Sequence, residues 1–264
     1  MSMAAHVSPV FRLLSLHEQR QKHASRLAHQ VIQPITGMLT YSSNLVDGLY
    51  TDPKTILQKL IYIRAMSRTT ARLAHGSLWV ADAMDFSFLK KHPRLGRNLR
   101  QFIIERIVDM QPIREHDGIS IMRQSDETLQ RLGSFRCDEL YFDQVVQNVM
   151  HNAVKYSYPG AEIKVRVESE NHALIIDISS IGIPIEDNEK LSIFSDGERG
   201  KWDHHLDPNG TGQGLCICQQ IMNGFGGGIY LLSSVPSLIK VFVPPGFPPA
   251  HANIFRIILP DAFK

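Results

Sequence analysis

The stretch DQVVQNVMHNAVKYS, residues 143–157, is the part of the sequence around which the rest of the chain is organised. Its apolar residues recur at intervals of three and four, which predicts one buried face of a helix. Asn148 and Asn152 lie four residues apart, so their amides share a helical face, and Lys155 follows one turn later. A solvated polar face is the ordinary explanation of such a pattern. A second signal further along the chain favours a binding site.

That second signal is the run GTGQGLCICQQI, residues 210–221, in which three alternating glycines precede an apolar helical pattern. Glycines allow several backbone N–H groups to approach a phosphate, and the N-terminus of the following helix adds positive potential. The run does not have the spacing of a dinucleotide fingerprint, and no Gly-Lys-Ser/Thr of a Walker A loop occurs. It therefore predicts a different phosphate site, formed together with the asparagine-bearing helix.

The order and spacing of these motifs resemble a known family. The motif N-x-x-x-N-A-x-K-Y-S of residues 148–157, a glycine turn after a strand, a Phe-containing segment and GTGxGL are similar to the catalytic ATP-binding domain of sensor histidine kinases. That domain belongs to an ATPase class shared with gyrase, Hsp90 and MutL. The resemblance covers about residues 98–264 and implies ATP and Mg²⁺ as ligands.

The resemblance also implies roles for individual residues. Asn152 would bind Mg²⁺ through its amide oxygen, because Mg²⁺ takes hard oxygen ligands and retains several waters. Asn148 would contact that shell or a phosphate, Lys155 would supply charge to the phosphates, and Tyr156 would pack near the base. The remaining nucleotide-binding candidates are Ser180, Gly182, Arg199, Gly210, Thr211, Gly212, Gly214 and Leu215.

Ser180 departs from the family pattern. It shares a strand phase with Ile176 and Ile178, which puts it where the family carries an acidic or amide side chain that accepts from the adenine amino group. Serine accepts as a neutral and shorter partner, so we expect ATP binding to be weakened and discrimination against GTP to be poor. Gly182, two residues later, is retained. Residues 201–209, KWDHHLDPN, would form a lid, whose acidic and histidine residues we interpret as solvated rather than metal-binding.

Upstream, residues 13–89 carry two heptad series separated by the turn Tyr50-Thr51-Asp52-Pro53. Asp52 is suited to cap the second helix and Pro53 to begin it. Such a helical hairpin leaves its apolar seam exposed, and a second copy would cover it in a four-helix bundle. The predicted fold class is α+β: a dimerisation and phosphoacceptor hairpin over residues 1–93, then an α/β sandwich ATP-binding domain over residues 98–264 with helices on one face of a mixed sheet. In that domain the pattern predicts a helix over residues 99–115, with Phe102, Ile103, Ile107 and Met110 inward, and strands over residues 119–122, 133–135, 162–168, 173–179, 228–233 and 255–259.

His29 is the candidate phosphoacceptor. It lies one step off the seam, and Pro34 loosens the helix by removing an N–H and clashing with the carbonyl of Gln30. The spacing His-x-x-x-x-Pro resembles the phosphoacceptor motif of histidine kinases. The family usually has an acid where Gln30 stands, and glutamine can orient the ring but cannot accept its proton, so we expect slow transfer. Gln33 stands where the family usually has Thr or Asn to place a water for the reverse phosphatase reaction, and because glutamine is longer than asparagine by a methylene, its presence argues against that reaction.

Composition limits the remaining function classes. The 264 residues suffice for two modest domains, and a net charge of +2 is too small to indicate a nucleic-acid surface. The cysteines Cys137, Cys216 and Cys218 indicate reduced thiols and a cytoplasmic location. No apolar run of membrane-spanning length occurs, so we expect no membrane segment in this sequence.

Two functional hypotheses follow. The leading one is a homodimeric histidine kinase core that phosphorylates His29 and passes the phosphoryl group to an Asp of a response-regulator receiver domain. The alternative is a degenerate, histidine kinase-like scaffold or phosphotransfer module with weak or no kinase activity, to which Gln30, Gln33 and Ser180 point. A gyrase- or MutL-type ATPase is disfavoured, because those enzymes carry a large domain after the ATP site and this chain has an N-terminal hairpin instead.

Overall fold

The computed structural model describes residues 32, 35–81, 86–90, 95–110, 118–206, 210 and 212–263. The chain divides into two compact units, Met1–Met84 and Asp85–Lys264. The predicted functional boundaries, residues 1–93 and 98–264, stay predictions. None of the described helices is long and apolar enough to cross a lipid bilayer.

The first unit contains two helices, α1 over residues 35–46 and α2 over Pro53–Ala81. Asp52 caps α2 as predicted: its Oδ2 accepts from the backbone N and the Oγ1 of Thr55, both at 2.8 Å. The two helices approach closely at Gly37, where an added Cβ would lie 2.8 Å from the Met66 sulfur. Both arms of the predicted hairpin are thus helical where described. Residues 13–31 lie outside the described residues, and the four-helix bundle stays a prediction.

The second unit is built on a five-stranded mixed sheet of order β2-β4-β5-β7-β6. β2 runs parallel to β4 and the other neighbours are antiparallel. β1 and β3 form a separate antiparallel pair. The strands are β1 Leu95–Asn98, β2 Ser120–Arg123, β3 Ser134–Cys137, β4 Glu162–Glu170, β5 Ala173–Gly182, β6 Gly228–Pro236 and β7 His251–Leu259. The mixed sheet confirms the predicted α+β class of this domain.

Helices of the second unit are α3 Leu99–Asp109, α4 Asp126–Leu132, α5 Glu139–Lys155, α6 Asp203–Leu206 and α7 Gly214–Phe225, with 3-10 turns at Phe86–Lys90 and Ser192–Phe194. Along β4, Ile163, Val165 and Val167 are buried and the residues between them are exposed. At β4, one face of the sheet is therefore covered and the other is solvated. Aromatic rings from three helices and from β3 pack against one another in the core, namely Phe102, Phe135, Phe142 and Phe225.

The helix predicted over Leu99–Glu115 is shorter than expected, since α3 ends at Asp109 and residues 111–117 lie outside the described residues. Its buried positions also differ: Ile107 is half-buried, whereas Arg106 and Asp109 are buried. Arg106 is paired with Asp109 at 3.4 Å, which is also buried, and with the half-buried Asp143 of α5. The sequence pattern places Arg106 and Asp109 on α3, but it does not show that Asp143 of α5 lies next to them.

A second difference concerns the segment between β2 and β3. Helix α4 was not predicted, although Ser125 provides a clear N-cap by accepting from the Thr128 N–H at 3.3 Å. Gly133, predicted to begin a strand, instead ends α4 with a φ of 71°. That left-handed conformation is one that glycine adopts without strain.

Candidate active site

The organising helix α5 begins at Asp138, whose Oδ1 accepts from the backbone N–H groups of Leu140 and Tyr141 at 3.1 and 3.3 Å. The predicted apolar face is buried throughout, at Val145, Val146, Val149, Met150, Ala153 and Val154. Asn148, Asn152 and Lys155 are half-buried. These polar side chains are therefore held on a fixed helix while remaining accessible to a ligand.

Helix α7, which follows the glycine loop, packs against α5. The Asn148 Nδ2 donates to the Cys218 sulfur at 3.5 Å, and the Cys218 sulfur lies 3.9 Å from the Val145 carbonyl oxygen. The two sequence signals, separated by some seventy residues, thus meet in space through named side chains. Asn148 is one of the predicted site residues, and this contact shows what positions it.

The glycine loop leads directly into the N-terminus of α7, whose first residue is Gly214. Gly212 has a φ of 72°, and a Cβ at this position would lie 2.6 Å from the Gly197 carbonyl carbon. The position therefore needs glycine for both its conformation and its space. A twelve-residue helix starting at a glycine loop offers backbone N–H groups and positive potential to an anion.

Arg199 joins Asp203, in the segment that the sequence predicts to form a lid, to Gly210 of the glycine loop. Its Nη1 donates to the Gly210 carbonyl oxygen at 3.0 Å, and its Nε donates to Asp203 Oδ2 at 2.9 Å. Burial raises the pKa of Asp203, but hydrogen bonds from Arg199 and Tyr156 and the charges of Arg199 and Lys155 outweigh it, so the pKa lies below its ordinary value of 3.8. Asp203 therefore carries its charge at neutral pH and holds Arg199 in place.

The end of α5 is hydrogen-bonded to the end of β5. The Tyr156 carbonyl accepts from the Ile183 N–H at 3.2 Å, and the Tyr158 N–H donates to the Ile181 carbonyl at 3.0 Å. Between these bonds, a Cβ at Gly182 would lie 1.8 Å from the Tyr156 carbonyl oxygen. Gly182 is thus required by the close approach of two backbones. Lys155 Nζ lies 4.8 Å from the centre of the Tyr156 ring at the same junction.

Three buried polar residues cross the sheet in one row, here called the polar row: Ser180 on β5, Asn253 on β7 and Ser234 on β6. Asn253 pairs with Ser180 on one side and with Ser234 on the other. Two residues along the same face, the pair is Ile178 and Phe255, both buried and apolar. A polar row at the end of an apolar face is unusual, because buried polar atoms need partners.

Sequence reasoning found only Ser180 of this row. β6 was predicted to end at Ser233 and β7 to begin at Phe255, so Asn253 and Ser234 fell outside both strands. The available signal was the alternation that runs from Asn253 through Phe255 and Ile257 to Leu259, all buried. Extending the strand by one more step would have placed Asn253 on the covered face.

The structure gathers most of the predicted nucleotide-binding residues in the second unit. Asn148 contacts α7, Gly182 adjoins Tyr156, and Arg199 contacts Gly210. His29, Gln30 and Thr211 lie outside the described residues, so their predicted roles stay predictions. The chemistry of Asn152 suits Mg²⁺, since its amide offers a hard oxygen on the same helix as Asn148. Within the described segments, no group of three His, Cys, Asp or Glu residues is arranged to hold a metal ion.

Comparisons with known proteins agree with this geometry. The family model described as "Histidine kinase-, DNA gyrase B-, and HSP90-like ATPase" matches residues 137–259. The sensor protein SrrB of Staphylococcus aureus is 25% identical over 223 residues, which are 84% of this chain. The chain spans 37% of the length of that relative.

Solved structures that are similar to this chain include two of histidine kinase ThkA. The catalytic domain of histidine kinase ThkA is 22% identical, with a TM-score of 0.49 over 64% of this chain and 98% of that chain. Histidine kinase ThkA in complex with the response regulator protein TrrA is 20% identical, with a TM-score of 0.49 over 97% of this chain and 69% of that chain.

Proposed function

We propose that this chain is the catalytic core of a sensor histidine kinase, because the family model of histidine kinase-, DNA gyrase B- and HSP90-like ATPases matches residues 137–259. It binds Mg-ATP in the second unit and phosphorylates His29. It then passes the phosphoryl group to an aspartate of a response-regulator receiver domain. The chain acts as a homodimer in this proposal.

The observation that carries the proposal is the contact between α5 and α7 through Asn148 and Cys218. It packs the asparagine-bearing helix against the helix that follows the glycine loop. Asn152 would hold Mg²⁺, which supplies charge neutralisation when bound. The loop N–H groups and Lys155 orient the triphosphate, and Arg199 links the lid to the loop.

The reaction transfers the γ-phosphoryl group from ATP to a ring nitrogen of His29. A P–N bond forms, the bond between the γ-phosphorus and the bridging oxygen breaks, and ADP leaves. Positioning and charge neutralisation supply most of the rate in such transfers. The proton displaced from the ring goes to solvent, because Gln30 cannot accept it. Transfer to the regulator then exchanges the P–N bond for an acyl phosphate on the aspartate.

Binding is the part of this proposal that calorimetry tests directly. We expect the parent protein to bind Mg-ATP and Asn152→Ala to bind it at least about tenfold more weakly, a difference of ~1.4 kcal/mol. Asn188→Ala, at an exposed asparagine outside the site, is the matched control and should bind as the parent does. A parent protein that binds no Mg-ATP at millimolar concentration would overturn the proposal.

One observation favours the second candidate, a kinase-like scaffold with weak or no activity. Ser180 places a neutral hydroxyl where the resembled family carries an acid, and it is buried. If Ser180 binds the adenine base weakly, the pocket keeps its shape but binds less ATP. Binding of Mg-ATP without any covalent phosphate on the protein would support this candidate over the kinase.

A further inference from the structure

Asn253 is the most buried member of the polar row, with 4% of its surface exposed. Its Nδ2 donates to the Ile183 carbonyl oxygen at 2.9 Å. Its Oδ1 accepts no hydrogen bond within the described part of the chain. Folded proteins rarely leave a buried amide oxygen without a partner, so an unmatched acceptor at the end of a sheet face indicates a ligand donor.

The orientation of this amide is fixed by its environment. Rotating the side chain by half a turn would bring Oδ1 against the Ile183 carbonyl, and two acceptors would then face each other. The hydrogen bond to Ile183 therefore uses Nδ2 as a donor within the protein and leaves Oδ1 as the atom that can accept from a ligand. Asn253 can consequently bind a donor but not an acceptor at that oxygen.

The place of this acceptor in the fold connects it with the nucleotide site. Asn253 pairs directly with Ser180, and such cross-strand partners on one face lie within about 5.5 Å at their Cβ atoms. The Asn side chain extends one atom further than the Ser hydroxyl. The residue that Asn253 holds, Ile183, follows Gly182 and also bonds the Tyr156 carbonyl at the end of α5. Asn253 therefore contacts the same turn that closes the candidate site.

We propose that Asn253 Oδ1, rather than Ser180, accepts the hydrogen bond of the exocyclic amino group of an adenine base. Guanine carries a carbonyl oxygen at the corresponding position, which Oδ1 would repel. The site is then selective for adenine nucleotides although it lacks a carboxylate. This inference rests on the proposed function, and it reverses the expectation of poor discrimination that was drawn from Ser180 alone.

Calorimetry with three triphosphates tests the assignment. The Mg²⁺ complexes of ATP, GTP and purine riboside triphosphate, which lacks the amino group, are titrated into the parent, Asn253→Ala and the matched control Ser180→Ala. We expect the parent to prefer ATP over each of the other two by about tenfold, as one buried hydrogen bond allows. Asn253→Ala should bind ATP and purine riboside triphosphate equally, whereas Ser180→Ala should keep the preference.

The ratios between nucleotides separate recognition from folding, because a general loss of structure weakens all three alike. If Asn253→Ala does not fold by circular dichroism, Asn253→Ser keeps a polar side chain that is one atom shorter, and it should lose the preference for ATP over purine riboside triphosphate. Equal binding of all three by the parent, or loss of the preference only in Ser180→Ala, would overturn the inference while leaving the proposed function standing. Failure of the parent to bind any of the three would overturn both.

Discussion

Two opposing effects act on the pKa of the Asp203 carboxyl, and the charged form of this group is the one that holds Arg199. Burial disfavours the charged form, while hydrogen bonds from Arg199 and Tyr156 and two nearby cations favour it more strongly. The group is therefore ionised in the folded protein at a lower pH than in the unfolded chain. Its contribution to stability is fully present above the ordinary pKa of 3.8 and is lost as pH falls through the depressed folded value.

Asp203→Asn should reveal this dependence in urea unfolding at a series of pH values. We expect the parent to be more stable than the variant by a constant amount above about pH 5, with the difference shrinking as the solution is acidified below that. Asp196→Asn, which removes an exposed carboxylate from the same segment, controls for the loss of one negative charge. A difference that grows on acidification would contradict the assigned role of Asp203.

Residue-level prediction from the sequence succeeded where a motif fixed the spacing and failed where a partner was distant. Asn148 could be placed on α5 because the helical period is local. Asn253 could not be recognised, because its significance comes from Ser180 and Ile183, which lie some seventy residues away. The pairing of the buried Arg106 with the half-buried Asp143 was missed for the same reason.

Among the elements, the junction of α5 with β5 depends on Gly182, because this residue has no side chain. A Cβ at Gly182 would lie 1.8 Å from the Tyr156 carbonyl oxygen, so Gly182→Ala must push the helix end away from the strand. We expect a loss of stability of about 1–3 kcal/mol, the usual range for overpacking, and weaker Mg-ATP binding. Chemical denaturation and calorimetry measure the two effects.

Gly96→Ala is the matched control for that substitution. Gly96 does not have a positive φ, and an added Cβ would meet no atom within 4 Å, so stability should stay within about 0.5 kcal/mol of the parent. Equal stability of Gly182→Ala and Gly96→Ala would contradict the close approach of the α5 and β5 backbones.

The elements with sustained periodicity were predicted well from the sequence. The long apolar stripe of α5 and the clean alternation of β4 each exceed a full repeat, and both were found in place. The shorter α4 was missed because seven residues carry too little periodicity to distinguish a helix from a turn. β7 was predicted too short because its first residues, His251 and Asn253, are polar despite lying in the ladder.

At the scale of the whole molecule, the first unit exposes apolar residues that a partner would cover. Ile35, Leu39, Val46 and Leu49 are all exposed along and after α1. Ile35 and Leu49 belong to the heptad seam of the predicted hairpin, whereas Leu39 and Val46 each lie one residue after a seam position. Exposed rows of this kind are typical of surfaces that associate. We therefore expect a homodimer formed through residues 13–89.

Ile35→Lys should weaken that homodimer by at least about tenfold in dissociation constant, because it places a charge in the apolar seam. Sedimentation equilibrium at micromolar concentration measures the change, and Mg-ATP affinity should stay at the parent value. Thr51→Lys adds the same charge at an exposed turn residue and is the control. A monomeric parent at this concentration would remove the dimer from the account.

The central claim is phosphoryl transfer to His29, and incubation with γ-labelled ATP tests it most directly. The account predicts label on the parent protein that survives base and is lost in acid, as a P–N bond requires. The label should be absent from His29→Ala although that variant still binds Mg-ATP, and Gln30→Glu should acquire it faster, within the range of about 10²–10⁴-fold typical of general-base assistance. Label that persists in His29→Ala, or a parent that binds Mg-ATP and never becomes labelled, would contradict the account.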